Sequence, residues 1–237
     1  PSSIMAGSGK NSFNITDLEP GITYFFRICA VNGDGISTEY DTAISIKTKN
    51  LPPLPDIPRG VSGVALNARA IQWKWLPSAN AGGYRIRRSQ DKLNLSGELN
   101  AFTTFWNQNG LTANNYYEIF VEACNLTGTS ASAPAGRLTM ANPPGAAYLS
   151  SVSSHSILLN WTANGNPENT RWEILRSTDG FMTSTATLKS FAGNYTLTSF
   201  LDFNLTALTT YSYKAQAFNN DSIGSEFSAQ VSTVTLY

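Results

Sequence analysis

Three stretches of this 237-residue chain repeat one spelling in one register, and no other feature limits the fold so sharply. Leu18-Glu-Pro-Gly-Ile-Thr-Tyr24, Leu111-Thr-Ala-Asn-Asn-Tyr-Tyr117 and Leu205-Thr-Ala-Leu-Thr-Thr-Tyr211 each set a Leu six positions ahead of a Tyr. Six positions after the Tyr comes Ala30, Ala123 or Ala217, and eight after it Asn32, Asn125 or Asn219. Successive tyrosines lie 93 and 94 residues apart. That period is too long for one turn of a solenoid and matches a whole small domain.

The residues after each Tyr alternate. Tyr24, Phe26, Ile28 and Ala30 share one face, as do Tyr117, Ile119, Val121 and Ala123, and Tyr211, Tyr213, Ala215 and Ala217. A period of two over eight residues predicts a half-buried strand. A second strand type is spelled Ala70-Ile-Gln-Trp-Lys-Trp75 and Ser156-Ile-Leu-Leu-Asn-Trp161. A third, Tyr84 to Asp91 and Trp172 to Asp179, ends both times in Arg-Ser-X-Asp. Gly, Pro, Asn and Ser punctuate the gaps, and no stretch shows a 3.6-residue period. The chain reads as all-β.

An early-strand Trp, a Leu-X-Pro-Gly-X-Thr-Tyr corner and a following Ala-X-Asn with a nearby Gly resemble the fibronectin type III domain. Leu18 to Gly35 matches best, and Trp161 with Leu205–Asn219 is also close, while the middle copy lacks the corner Pro. The resemblance implies tandem immunoglobulin-like β-sandwiches of seven strands in two antiparallel sheets. It further implies that each corner hydroxyl, on Tyr24, Tyr117 and Tyr211 behind Leu18, Leu111 and Leu205, bonds back to nearby backbone. Of Trp73 and Trp75, parity with the third copy selects Trp75 as the core residue, beside Trp161 and Trp172. The wording of Arg-Ser-Thr-Asp-Gly-Phe181 and Asn194-Tyr-Thr is similar to repeats of bacterial extracellular and surface proteins.

Residues 51–141 and 142–237 each supply a full set of strands. Residues 1–50 supply only the last half of a domain, strands E, F and G, which leaves Tyr24, Phe26 and Ile28 without a facing sheet. Two completions are open: strands from upstream sequence, or strands donated by another chain. Leu51-Pro-Pro-Leu-Pro-Asp-Ile-Pro58 should run extended and stiff, and Asn142-Pro-Pro-Gly145 is a shorter joint.

Composition removes most chemistry. Sixteen Lys and Arg balance sixteen Asp and Glu, without the concentrated basic surface a nucleic-acid binder needs. One His and two Cys leave little for a metal centre or a His-dependent active site, and no cofactor motif occurs. No apolar run reaches the 18 residues or so of a membrane-spanning helix. His155, in Ser-Ser-His-Ser, reads as a turn residue. Arg85 and Arg87 should face Glu118 and Glu122 across the middle sheet, and Glu173 should face the Lys214 strand. Outward parity makes Phe25, Val31, Phe120, Leu175 and Phe218 the partner-contact candidates; Cys29 and Cys124 share that parity and read as small residues semi-buried under a neighbouring side chain, or else as crosslinks to another subunit or to missing sequence.

The leading expectation is a non-enzymatic extracellular or cell-surface segment, a semi-rigid rod touching protein partners, its own copies included, and able to form a filament. Two alternatives stand beside it: a non-catalytic accessory region of a secreted glycan-degrading enzyme, with glycan as partner, and a receptor-like ligand-binding module.

Overall fold

The alternating segments form strands, although in the first copy the strand ends at Phe26 and Ile28 and Ala30 lie beyond it, and each strand pairs antiparallel with its neighbours. The computed structural model describes residue 4, residues 6–7 and residues 9–237. Near the N-terminus β1 (Thr23–Phe26) and β2 (Ile44–Lys47) make a two-stranded sheet with Tyr24 opposite Ile46.

The middle sandwich follows. β3 (Ser62–Asn67) and β4 (Ala70–Lys74) form one hairpin, and β5 (Gly83–Arg88), β6 (Leu99–Asn100) and β7 (Phe105–Gln108) come next. β8 (Tyr116–Cys124), β9 (Thr129–Ala131) and β10 (Ala135–Leu138) close it. One sheet runs β3-β4-β7; the other runs β10-β8-β5-β6, with β9 also on β8. The C-terminal sandwich repeats this plan with β11 (Tyr148–Ser150), β12 (Ser156–Asn160), β13 (Arg171–Ser177) and β14 (Ala186–Lys189). It is completed by β15 (Ser199–Phe203), β16 (Thr210–Phe218), β17 (Gly224–Phe227) and β18 (Val231–Val234). Its sheets are β11-β12-β15 and β14-β13-β16-β17, with β18 also on β16. Counting each interrupted last strand once gives seven strands per sandwich.

That interruption has one cause in all copies. Ser132 Oγ accepts the Val121 N–H at 3.0 Å, and Ser228 Oγ accepts the Ala215 N–H at 3.1 Å. Asp41 Oδ1 does the same for Ile28 N–H at 2.6 Å. A side-chain oxygen inserted where a carbonyl would stand bends the edge strand, as a β-bulge does.

Inward residues of facing sheets make two cores. Ile71, Trp73, Trp75, Tyr84, Ile86, Ile119 and Val121 fill one; Ile157, Leu159, Trp161, Trp172, Ile174 and Tyr213 fill the other. The choice between Trp73 and Trp75 is corrected by the strand itself. Residues two apart share a face, so both are buried, Trp73 completely (0% exposed). The Trp75 ring lies 5.5 Å from Tyr84, and Trp161 lies 5.7 Å from Trp172 in an edge-to-face pair. Removing about 200 Å² of apolar surface per such ring is worth up to about 5 kcal/mol. Among the described residues no helix is long and apolar enough to cross a membrane.

Candidate functional site: corners and joints

Each corner tyrosine receives a hydrogen bond from the backbone just ahead of it. Tyr24 Oη accepts from Glu19 N–H at 2.8 Å, Tyr117 Oη from Thr112 N–H at 2.8 Å, and Tyr211 Oη from Thr206 N–H at 3.1 Å. The donor is always the residue after Leu18, Leu111 or Leu205. Turning that corner requires a left-handed residue three places before the Tyr: Gly21 (φ 72°), Asn114 (φ 48°) and Leu208 (φ 55°). Gly and Asn enter this region readily, whereas a Leu pays about 1–2 kcal/mol.

A threonine closes the same corner from the last strand. Thr48, Thr139 and Thr235 each donate Oγ1–H to the carbonyl of Glu19, Thr112 or Thr206, at 2.6, 2.7 and 2.6 Å. Each Oγ1 also accepts an N–H, from Ile22, Asn115 and Thr209, at 3.0 Å in every case. Sequence reasoning did not single these threonines out. They lie 24, 22 and 24 residues after their tyrosines, a register hidden among many other threonines.

The repeated asparagine organises the turn after the corner strand. Asn32 Oδ1 accepts from Asp34 and Ile36 N–H, Asn125 Oδ1 from Thr127 and Gly128 N–H, and Asn219 Oδ1 from Asp221 and Ile223 N–H. The amide nitrogens reach the segment before each sandwich. Asn125 Nδ2 donates to the Pro53 carbonyl at 2.6 Å and the Asn80 carbonyl at 2.9 Å, holding the Pro-rich stretch against the middle sandwich. Thr127 Oγ1 adds a bond to the Pro52 carbonyl. Asn219 Nδ2 donates to the Thr139 carbonyl at 3.2 Å. Thr139 therefore closes the corner of one sandwich and anchors the turn of the next.

Three further contacts cross that second joint. Asn114 Nδ2 donates to Thr170 Oγ1 at 3.0 Å, Asn220 N–H donates to Asn114 Oδ1 at 3.1 Å, and Arg137 pairs with Asp221 at 3.5 Å. Asn114, Thr139, Thr170 and Asn219 are all buried. Buried amides and hydroxyls are expensive unless paired, so this network disfavours any other seating of the two sandwiches.

The contact candidates scatter. Phe25 is 72% exposed on β1, and Val31 is also exposed, on an isolated bridge to Ser37. Phe120 and Leu175 are half-buried, and Phe218 packs 5.4 Å from Phe191 within its own sandwich. Cys29 is half-buried with a free thiol. Cys124 lies on the outward face, as its parity implies, and is buried there under a neighbouring side chain, because its partner Gly83 leaves room for the sulfur and the Glu98 side chain lies over it. Burial pushes its thiol pKa up, away from reactivity. His155 Nδ1 lies 3.0 Å from the Leu205 carbonyl, at a turn. Arg87 and Arg85 pair with Glu122 at 3.0 and 3.9 Å. Glu173 faces the Lys214 strand, standing opposite Gln216, while the Lys214 ammonium itself lies over the Phe181 ring at 4.5 Å.

No family model matches the chain. It is 28% identical over 213 residues to the Kelch domain-containing protein SSO1033 of Saccharolobus solfataricus, covering 83% of this chain and 28% of that one. It is 26% identical over 246 residues to Exoglucanase B of Cellulomonas fimi, covering 94% of this chain and 21% of that one. Thus it spans about a quarter of the length of these curated relatives. A two-domain fibronectin type III segment of chicken tenascin aligns over 76% of this chain and 99% of its own, at 18% identity and a TM-score of 0.46. With its three tyrosine corners and twice-repeated sheet order, the chain has the all-β architecture of tandem fibronectin type III domains.

Proposed function

We propose that this chain is a non-enzymatic spacer of an extracellular or cell-surface protein, with domains at residues 51–141 and 142–237 behind a half domain at 1–50. The observation that carries this reading is the buried network from Asn114 and Thr139 to Thr170 and Asn219, which seats one sandwich on the next. A flexible tether would not bury four polar side chains at its joint. Protein is the partner class, met through outward apolar residues such as Phe25 and Val31. Backbone 15N relaxation on the whole chain tests the spacer role. One rotational correlation time should describe residues 51–237, and the Asn114→Ala, Asn219→Ala double variant should split it into two shorter ones. Independent tumbling in the unmodified chain would end the proposal.

A second reading is a non-catalytic accessory region of a glycan-degrading enzyme, favoured by the match to Exoglucanase B across 94% of this chain. Co-sedimentation with insoluble cellulose discriminates: retention of the chain on the polymer favours the accessory role, and full recovery in the supernatant favours the spacer.

A further inference from the structure

Each sheet of the two complete sandwiches has an inner and an outer face, because successive side chains of a strand point opposite ways. In the sheet β11-β12-β15, Leu149, Ile157, Leu159 and Phe200 serve the core. Tyr148, Leu158, Leu201 and Phe203 point outward, with Ser150, Ser156, Asn160 and Ser199 between them. Strand register sets Leu158 beside Leu201, with Tyr148 and Phe203 towards opposite corners. Tyr148, Leu201 and Phe203 are 56%, 51% and 65% exposed, and no charged residue stands at an outward position of this sheet.

The other three outer faces all carry charge: Lys74 on β4, the Arg87–Glu122 pair across β5 and β8, and Glu173 with Lys214 on β13 and β16. The exposed Ile44 and Ile46 of β2 are a different case. They share a face with Tyr24 and Phe26, the inward side of an incomplete sandwich, and call for strands.

We propose that the outer face of β11-β12-β15 docks on the same face of a second copy of this chain. A two-fold contact needs a surface that suits itself, and a charge-free one never sets like charges together. Sheets pack face to face through apolar side chains of this kind. A charged partner finds no counter-charge here. A hydroxyl-rich glycan finds little to bond, since Asn160 Nδ2 already donates to Ser150 Oγ at 2.9 Å and the other polar positions are serines. At roughly 200 Å² for a fully exposed large side chain, the face offers about 500 Å² per copy. The resulting total of about 1,000 Å² is the lower limit of a specific interface, so the contact is weak and counts where copies are held close together. This face is distinct from Phe25 and Val31, and the spacer reading stands or falls without it.

Sedimentation equilibrium on the whole 237-residue chain reads the contact. Between about 10 µM and about 1 mM the mean mass should climb from one chain towards two, with an apparent Kd of about 0.1 mM. Leu201→Lys and Phe203→Lys each bring a charge into the contact from a solvent-facing position, so the fold should persist by circular dichroism while Kd rises at least about tenfold. Phe105→Lys, on the matching face of the middle sandwich, and Ile46→Lys, on β2, should leave Kd unchanged. Raising NaCl from about 0.05 M to about 0.5 M should change Kd less than about twofold, since no charges meet. Chains that stay single up to about 1 mM, or association that survives both Leu201→Lys and Phe203→Lys, would overturn the proposal. Association abolished by Ile46→Lys or by salt would do the same. So would retention on insoluble cellulose that Leu201→Lys and Phe203→Lys remove, which would give the face to a glycan.

Discussion

Residues 1–50 and residues 142–237 share a tyrosine corner, a threonine closing it and an asparagine turn, yet only the second has an interior. In the first, Ile28, Ile44 and Ile46 are 70%, 64% and 63% exposed, and no sheet faces β1 and β2 among the described residues. In the second, the corresponding strand places Tyr211, Tyr213, Ala215 and Ala217 in a closed core. Corner geometry is therefore a local property, set by partners at most 29 residues apart in sequence. Burial is a property of the whole sandwich, and it converts the same hydrogen bonds from exposed contacts into stabilising ones.

The largest effect should come from the core. Trp172→Ala should cost about 3–5 kcal/mol and shift the guanidinium midpoint of the C-terminal sandwich, while Phe26→Ala should cost less than about 1 kcal/mol. Comparable losses from the two would mean that β1 and β2 have a hidden facing sheet. Next come the corners. Tyr211→Phe strands a partly buried Thr206 N–H and should cost about 1–3 kcal/mol, whereas at Tyr24 water can replace the hydroxyl and Tyr24→Phe should be close to neutral. Equal effects at both sites would break the distinction between local geometry and burial.

A smaller change runs the other way. Leu208 is exposed and left-handed where the first copy has Gly21, so Leu208→Gly relieves about 1–2 kcal/mol of backbone strain and gives back about 0.5–1 kcal/mol of chain entropy. A rise in Tm of a few degrees is expected, and a fall would show that the Leu208 side chain packs in a way its exposure hides. The smallest effect is a pH dependence. Hydroxyl donors on Thr183 and Ser177, joined by backbone N–H groups of Thr183 and Ser184, hold the Asp179 carboxyl well below the usual range. A depressed folded pKa stabilises above the unfolded value of about 3.9 and is lost as pH falls below it. Asp179→Asn should flatten that part of the acid-melting profile of the C-terminal sandwich; an unchanged profile would assign it to other carboxylates.

Fold class and family were legible because the period of two and the Leu–Tyr, Ala and Asn offsets are short-range patterns. The Trp strands were legible for the same reason, although choosing between Trp73 and Trp75 treated as rivals two residues that share one face. Parity put Cys124 on the outer face, but it does not say which side chain covers it, and the cover turns out to be Glu98, just ahead of β6. The joint was illegible for a different reason. Asn114 and Thr170 are 56 residues apart, and Asn114 and Asn220 are 106 apart, on elements whose relative placement no local pattern encodes.

Thr139 has its hydroxyl in one sandwich and its carbonyl engaged by the next. Were the chain pulled from its two ends, the load would reach this residue from both sides at once. Loosening the last strand of the leading sandwich would then release its neighbour's turn in the same event, so the pair should yield as a single mechanical unit and not one bead at a time.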